Sequence, residues 1–312
     1  MRTLTDTERE TGIGVTPEVP ADTGIQTGIN TGVDAGLDAR VDTGIQTSAV
    51  PADLAAIDAQ LAGMEPISLD ELNAQARLMT RVDRKYFVPR ELFLQLLSAT
   101  EDDFKVLEIA GKHRFEYRTV YFDTPEFRFF RDHVQGRRQR FKVRTRTYVD
   151  SGTSHLEVKS KGYRGQTVKQ RIAHPFDRPL ELTGSGQNFV GSVLDTRTGA
   201  SARPRYTAAD LTPVLETVYD RVTLTHDHQR LTCDLDIEAR NGRRSHGGPR
   251  DVLVETKSAG GVSIWDDLLQ QAGIREHKVS KYCVGASLLN PELPANPWNR
   301  TIRRYFRLGR LR

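Results

Sequence analysis

Residues 137–162 read RRQRFKVRTRTYVDSGTSHLEVKSKG, two runs in which charged side chains stand at every second position with aliphatic or aromatic ones between. Successive side chains of a strand point to opposite faces, so Arg138, Arg140, Lys142, Arg144 and Arg146 share one face while Phe141 and Val143 share the other. Glu157, Lys159 and Lys161 alternate with Leu156 and Val158 in the same way, and the Ser-Gly-Thr between the runs suits a hairpin connection. Such a pair has two solutions. An open antiparallel sheet leaves the charged face in water; a closed barrel turns it into a lumen and packs the apolar face outward against helices.

The pattern recurs. In QRLTCDLDIEA, Arg230, Asp234, Asp236 and Glu238 are expected on one face and Leu231, Cys233, Leu235 and Ile237 on the other. Lys169 shares a face with Arg171 in VKQRI, as Glu255 does with Lys257 in LVETK. Two features favour the lumen. Like charges in series repel, a cost that a bound polyanion removes. The acids gather on particular strands, as divalent-cation ligands would, while Arg and Lys dominate others, as phosphate oxygens require. Arg144 and Arg146, two residues apart on one side, are spaced to fork onto successive phosphoryl groups.

Around these strands the chain reads as α+β. RVDRKYFVP, HRFEYRTVYFDT, VKQRIAH, LETVYDRVTLTH and DVLVETKS all run at period two. PADLAAIDAQLAG, the SLDELNAQARLM segment with Ser68 and Glu71 at capping-box spacing, PRELFLQLLSAT, GVSIWDDLLQQAG and EHKVSKYCVGASLLN read as helices, and residues 180–210 as loop with helix. Residues 23–46 are six tetrads of the type TGIQ; a Gly at every fourth position covers no helical face, so this part is expected to be disordered.

The 45 basic residues nearly balance 41 acidic ones, but the basic excess gathers at about 112–171 and again after 296, which points to an anionic partner. No apolar run reaches the length of a membrane span, and the N-terminus lacks the pattern of a signal peptide, so the expected compartment is cytoplasmic. Cys233 and Cys283 stand in no metal-like spacing and are expected to be reduced and buried. His226 and His228 sit at strand spacing with no third ligand at a telling distance, which argues against zinc.

The motifs RVDRKYFV, YRTVYFDTPEF, FKVRTRTY, HLEVKSKG, VKQR, VYDRVTL, QRLTCDLDI, LVETK and HKVSKYCVG, in this order, resemble the VTC (vacuolar transporter chaperone) catalytic domain, a polyphosphate polymerase of the triphosphate tunnel metalloenzyme superfamily. The resemblance covers roughly residues 78–300. It implies an α+β fold: an antiparallel β-barrel of about eight strands, a triphosphate tunnel, with flanking helices. The expected organisation is a tail over 1–50, a helical lead-in over 51–77, the tunnel domain over 78–295 and a basic tail over 296–312.

The resemblance also implies roles. Lys85, Arg144, Arg146 and Lys159 correspond to nucleotide-phosphate ligands; Lys169, Arg221 and Arg230 correspond to further tunnel-wall contacts. Glu255 corresponds to the metal-binding glutamate, for Mn or Mg. Lys278 and Lys281, three apart, are expected on one face of a closing helix. Asp234, Asp236 and Glu157 stand where further metal-binding or water-positioning carboxylates would sit. Arg84, and Thr256 where an aliphatic residue is expected, depart from the family pattern. No inositol-phosphate-sensing domain or membrane segment is seen, so a stand-alone module is expected. The implied reaction moves the γ-phosphoryl group of ATP onto polyphosphate, with an inorganic or nucleoside triphosphatase, or a non-catalytic polyphosphate binder, as alternatives. Nucleic acid is not the favoured partner, although NPWNRTIRRYFRLGRLR, with Trp298, Tyr305 and Phe306 among arginines, is a candidate for an anionic membrane surface, nucleic acid or exiting polyphosphate. Oligomeric state is not legible.

Overall fold

A computed structural model of the chain describes residues 51–76, 82–161, 167–198, 206–259 and 261–306. The tetrad repeat, Gly162 of HLEVKSKG and the last six residues lie outside the described residues. The chain divides into two units, Met1–Ser48 and Ala49–Arg312, and every described residue belongs to the second.

In chain order the elements are α1 (Ala52–Gly63), β1 (Pro66–Ile67), α2 (Leu69–Ala76), β2 (Val82–Val88), α3 (Arg90–Ala99), β3 (Lys105–Leu107), β4 (Arg114–Asp123), α4 (Arg128–Val134), β5 (Arg140–Tyr148), β6 (Thr153–Lys161) and β7 (Thr167–Ala173). Then come α5 (Gly184–Thr198), β8 (Thr212–His226), β9 (Gln229–Arg240), β10 (Ser245–Gly247), β11 (Val252–Ser258), α6 (Ile264–Gln271) and α7 (Lys281–Leu289), with short helical turns over 296–306. One sheet holds all the strands, and its main path, β2-β11-β9-β8-β4-β5-β6-β7, has eight strands in antiparallel pairing. Among the described residues no ladder joins β7 to β2, yet the sheet curls far enough for Lys85 of β2 and Lys142 of β5 to line one hollow. The architecture is therefore barrel-like, with an unpaired seam. Along that seam the amide of His277 donates to the carbonyl of Lys85 at 2.7 Å, so the segment before α7 covers part of the free edge of β2.

The alternation sorts side chains as expected. Tyr86, Val88, Val222, Leu231, Cys233, Val252 and Val254 face outward into a core with α1, α3 and α6. Farther round the same outer face Val143, Leu156 and Val158 pack under α5. Both cysteines are free and buried. Ser68 and Glu71 close the expected capping box, with Ser68 N donating to Glu71 Oε2 at 3.0 Å and Glu71 N to Ser68 Oγ at 3.3 Å. The two departures from the family pattern share one explanation. Arg84 and Thr256 are register partners on the outer face, and both bind Asp266 of α6, at 3.1 Å and 2.7 Å; Tyr86 adds a hydroxyl at 2.8 Å. They dock α6 instead of entering the lumen.

Three expectations are corrected. Asp236 does not share the face of Asp234: β9 carries an extra residue where the register shifts opposite Val218/Asp220, and Asp236 takes φ +49° and pairs with Arg90 of α3 on the outside. Beyond that bulge the faces exchange, so Ile237 and Ala239 turn inward, and Glu238 turns away to pair with Arg240 at 2.7 Å. Third, Lys278 and Lys281 are not on one helical face, because the helix starts only at Lys281, with Ser280 as its N-cap.

Candidate functional site

The inward faces of β2, β11, β9, β8, β5, β6 and β7 carry the charges. Cross-strand register sets them in rows: Lys85 beside Glu255, Lys257 beside Arg230, Asp234 beside Arg221, Arg144 beside Glu157, and Lys142, Lys159 and Lys169 abreast. Each row follows from period two and pairing alone.

Three carboxylates are set among the cations. Glu255 lies 3.2 Å from Lys85 Nζ and 3.6 Å from Lys257 Nζ, and these lysines outweigh the effect of burial to hold its acid well below the usual carboxylate range. Glu157, 1% exposed, accepts from Arg144 at 2.6 Å and binds Lys169; burial alone would raise its acid, but Arg144, Arg146 and Lys169 pull it far down. Asp234, equally buried, takes a two-pronged contact from Arg221 at 2.6 and 2.9 Å and a further one from Lys281, which against burial bring its acid down to about 2. All three are ionised at neutral pH.

The ammonium groups move the other way. Burial, partly offset by Glu255, brings Lys257 down to about 8, and burial partly offset by Glu157 does the same to Lys169. Burial also lowers Lys142 and Lys159. Cations outnumber acids around the lumen, and desolvation weakens their hold on protons; an anion among them relieves both costs.

Two tyrosines complete the wall. The Arg221 guanidinium stands 4.9 Å from the Tyr117 ring centre and 5.3 Å from that of Tyr219, and Lys281 Nζ stands 4.5 Å from the Tyr219 ring. Burial would raise the Tyr219 phenol, but Arg146, Arg221 and Lys281 lower it, and its buried hydroxyl has no hydrogen-bond partner among the described residues.

Below Asp234 the inward positions become apolar, and α7 fills the space. Phe87, Leu215, Ile237, Ala239 and Leu253 pack against Tyr282, Ala286 and Leu289. Gly285 permits this approach: a Cβ there would lie 3.1 Å from Leu215 Cδ2 and 3.2 Å from Ala239 Cβ. Tyr282 also donates its hydroxyl to the buried carboxylate of Asp123, which accepts the amides of Phe129 and Phe130 at 2.8 and 2.9 Å and so anchors α4. The aromatic residues of the basic tail belong to this packing. Trp298 is buried against Phe130, Tyr305 stacks on Phe87 at 4.1 Å between ring centres, and Phe306 is buried beside them.

Lys85, Arg144, Arg146, Lys159, Lys169, Arg221, Arg230, Lys281 and Glu255 thus meet in one lumen. Lys278 does not enter; it is exposed at the rim of a hollow of about 570 Å³ that Lys85, Arg140 and Lys142 also line. A second hollow, of about 320 Å³, is lined by Arg146, Lys169, Arg171, Arg221 and Arg230. Lys142 and Lys257 were legible as members of charged faces but not as site residues. Tyr117, Tyr219 and Asp123 left no signal, because an aromatic or acidic residue in a strand reads the same whichever side it faces.

Among the described residues no group of three His, Cys, Asp or Glu side chains lies together, so the described side chains form no closed cage for a cation. Glu255 nonetheless suits a hard divalent ion, as one ionised carboxylate completed by phosphate oxygens and water. The described part has no helix long and apolar enough to cross a membrane.

Comparison with solved structures finds distant likenesses. A protein from Vibrio parahaemolyticus described as a candidate adenylate cyclase is 15% identical, with a TM-score of 0.38, over 66% of this chain and 98% of its own. A candidate adenylyl cyclase from Hippeastrum, described as having a dominant triphosphatase activity, is 17% identical, with a TM-score of 0.39, over 67% and 96%. A protein from Pyrococcus horikoshii is 13% identical, with a TM-score of 0.38, over 68% and 99%. No curated protein matches the sequence. The family model for the VTC domain matches residues 80–290, the span that supplies Lys85, Glu255 and the other side chains of the lumen, and the chain therefore belongs to the VTC domain family.

Proposed function

We propose that the domain is a polyphosphate polymerase, which moves the γ-phosphoryl group of ATP onto the end of a growing polyphosphate chain and releases ADP. The observation that carries this reading is the inward row of β5. Arg140 and Lys142 line one hollow, Arg146 the other, and Arg144 lies between them. A hydrolase needs one opening, whereas a polymer that lengthens inside a lumen needs a second. The four steps of strand from Lys142 to Arg146 cover about 13 Å, enough for several phosphoryl groups in line.

In this reading Lys85, Arg144, Arg146, Lys159 and Lys169 hold the phosphates of ATP, Arg221 and Arg230 line the wall, Lys281 reaches in from α7, and Lys278 meets the chain at its rim. The bond between the γ-phosphorus and its bridging oxygen breaks, and a terminal oxygen of the acceptor forms the new one. The leaving negative charge departs on ADP. Phosphoryl transfer of this kind is accelerated mainly by alignment and by neutralising spreading charge, which fixed guanidinium and ammonium groups supply. A Mg or Mn ion held by Glu255 and the phosphates would add Lewis-acid neutralisation when bound.

The test is purified protein with ATP and Mn, scored for a long polyphosphate ladder beside ADP, with Glu255→Gln and Arg144→Ala as controls. A ladder that both substitutions abolish is expected. ADP and free phosphate with no ladder would move the assignment to a triphosphatase. No turnover with any divalent ion would leave a polyphosphate-binding module.

A further inference from the structure

Residues 274–280, between α6 and α7, belong to no helix or strand, yet they carry Lys278 to the rim of the hollow of about 570 Å³ and deliver Lys281 to Asp234. Ordering a coil costs conformational entropy at each residue, so a ligand that meets Lys278 and Lys281 binds more tightly if the coil is already held. Three polar contacts tie it to the sheet. The His277 amide donates to the carbonyl of Lys85 at 2.7 Å, Glu276 lies 3.8 Å from Arg84, and Lys142 Nζ donates to Ser280 Oγ at 2.9 Å. The first is main chain on both sides, so it sets the path of the coil against the strand that holds Lys85.

A cluster of rings keeps His277 in that place. Phe87 follows Lys85 by two residues on the inward face of β2 and is buried. The His277 ring stands edge-on to Phe87 at 5.3 Å and to Tyr305 at 5.1 Å, Tyr305 stacks on Phe87, and a hydrogen bond of 3.1 Å links Tyr305 Oη to His277 Nε2. Burial, with Arg304 adding to it, lowers the imidazole, and burial raises the phenol, so the bond joins two uncharged groups at neutral pH. Tyr305 comes from the short helical turns over 296–306, which Trp298 pins to Phe130 at 5.9 Å and Phe306 to Phe87 at 6.0 Å. These turns lie beyond the residues the family model matches, so the grip on His277 is supplied from outside that span.

We propose that Tyr305 is a positioning residue of the lumen: by holding His277 it keeps residues 274–280 on β2 and so fixes Lys278 and Lys281 relative to Lys85 and Glu255. The inference rests on the lumen binding phosphate chains, and it gives a part in that site to a stretch whose sequence reads as a free basic tail. Tyr305 touches no ligand; it acts through His277 and the main chain at Lys85. Its two contacts are separable, because the ring serves the stack on Phe87 and the hydroxyl serves His277.

The experiment takes the full chain as wild type, Tyr305→Phe, His277→Phe and the double variant, and reads affinity for inorganic tripolyphosphate by calorimetry and amide hydrogen exchange by NMR. Tyr305→Phe keeps the ring on Phe87 and removes only the hydroxyl. In that variant the His277 amide should exchange about tenfold faster while the amides of β8 and β9 keep their wild-type rates, and tripolyphosphate should bind about fivefold more weakly, the scale of one lost hydrogen bond. His277→Phe should weaken binding by the same factor, and the double variant no further. Unchanged exchange at His277, faster exchange there with unchanged affinity, or additive losses in the double variant would overturn the proposal and leave the phosphate lumen standing. Acceleration of all amides alike would also overturn it, because that marks a loss of global stability alone. A wild type that binds no tripolyphosphate would overturn the lumen reading, and this proposal with it.

Discussion

At the scale of single residues the lumen works by pairing each of Glu255, Glu157 and Asp234 with two cations. Lys257 and Lys169 show the consequence. Both lose their protons near pH 8 in the folded chain, whereas unfolded lysines keep theirs to about 10.4. Between those values the unfolded chain binds more protons, so their contribution to the stability of the unliganded fold rises with pH. Phosphate acts in the opposite sense, since it favours the charged ammonium. Tripolyphosphate affinity should therefore fall as pH climbs through about 8, and Lys257→Arg should flatten that limb in a calorimetric titration between about pH 6.5 and 9.5. A limb that persists unchanged in Lys257→Arg would assign it elsewhere. Asp266 makes a different residue-scale case. It is buried and holds Arg84, Thr256, Tyr86 and the amide of Ser263, so Asp266→Ala should cost roughly 3–5 kcal/mol in denaturant unfolding, as expected when one partner of a buried charged network is removed.

At the scale of elements the decisive piece is α7. It is held from below by apolar packing through Gly285 and from above by Lys281 on Asp234. The two attachments can be separated. Gly285→Val adds bulk where a single Cβ would already lie 3.1 Å from Leu215, so it should destabilise the fold by about 1–3 kcal/mol, the usual cost of overpacking. Asp234→Asn keeps the shape and removes the charge that orders Arg221 and Lys281. In a double-mutant cycle with Lys281→Met the two substitutions should be strongly non-additive in turnover, because they remove one shared contact. Simple additivity would show that Lys281 acts without Asp234. The correction at Lys278 belongs here too: three-residue spacing places two lysines together only inside a helix, and Ser280, by capping at that point, puts Lys278 in the preceding coil.

At the scale of the molecule the curled sheet is an outer hydrophobic shell around a charged centre, the reverse of an ordinary globular core. Such a centre is most stable with its ligand in place. A saturating polyanion at about a hundred times its dissociation constant should add about 2.7 kcal/mol to unfolding stability by mass action. The rise in melting temperature with tripolyphosphate should shrink at high salt, as screening weakens the Coulomb part of binding. A salt-independent shift would mean that the ligand binds outside the lumen.

Much of this was legible from residues alone. Strict alternation in β5, β6, β9 and β11 fixed which side chains share a face, because the side-chain period of a strand admits no other sorting. From that came the charged face, its mixed sign and most of the lumen residues. What alternation cannot express is an interruption of itself: the bulge at Asp236 adds one residue and exchanges the faces beyond it, and no composition cue marks the place. Nor can a local pattern say which face of a sheet is concave, which departures dock a helix, or what stands opposite across a lumen. Arg84 and Thr256 looked like changes near a site and are outer-face anchors for α6, while the hollow that Arg146 lines is lined also from α2, β3 and β4, far apart in the chain. The sequence by itself determined the strands, their faces and the excess of positive charge. Only the tertiary structure decided that the charged side turns inward, where α7 fills the space, and that its cations line two separate hollows, because curvature and cross-lumen contact are properties of the whole sheet and not of any one strand.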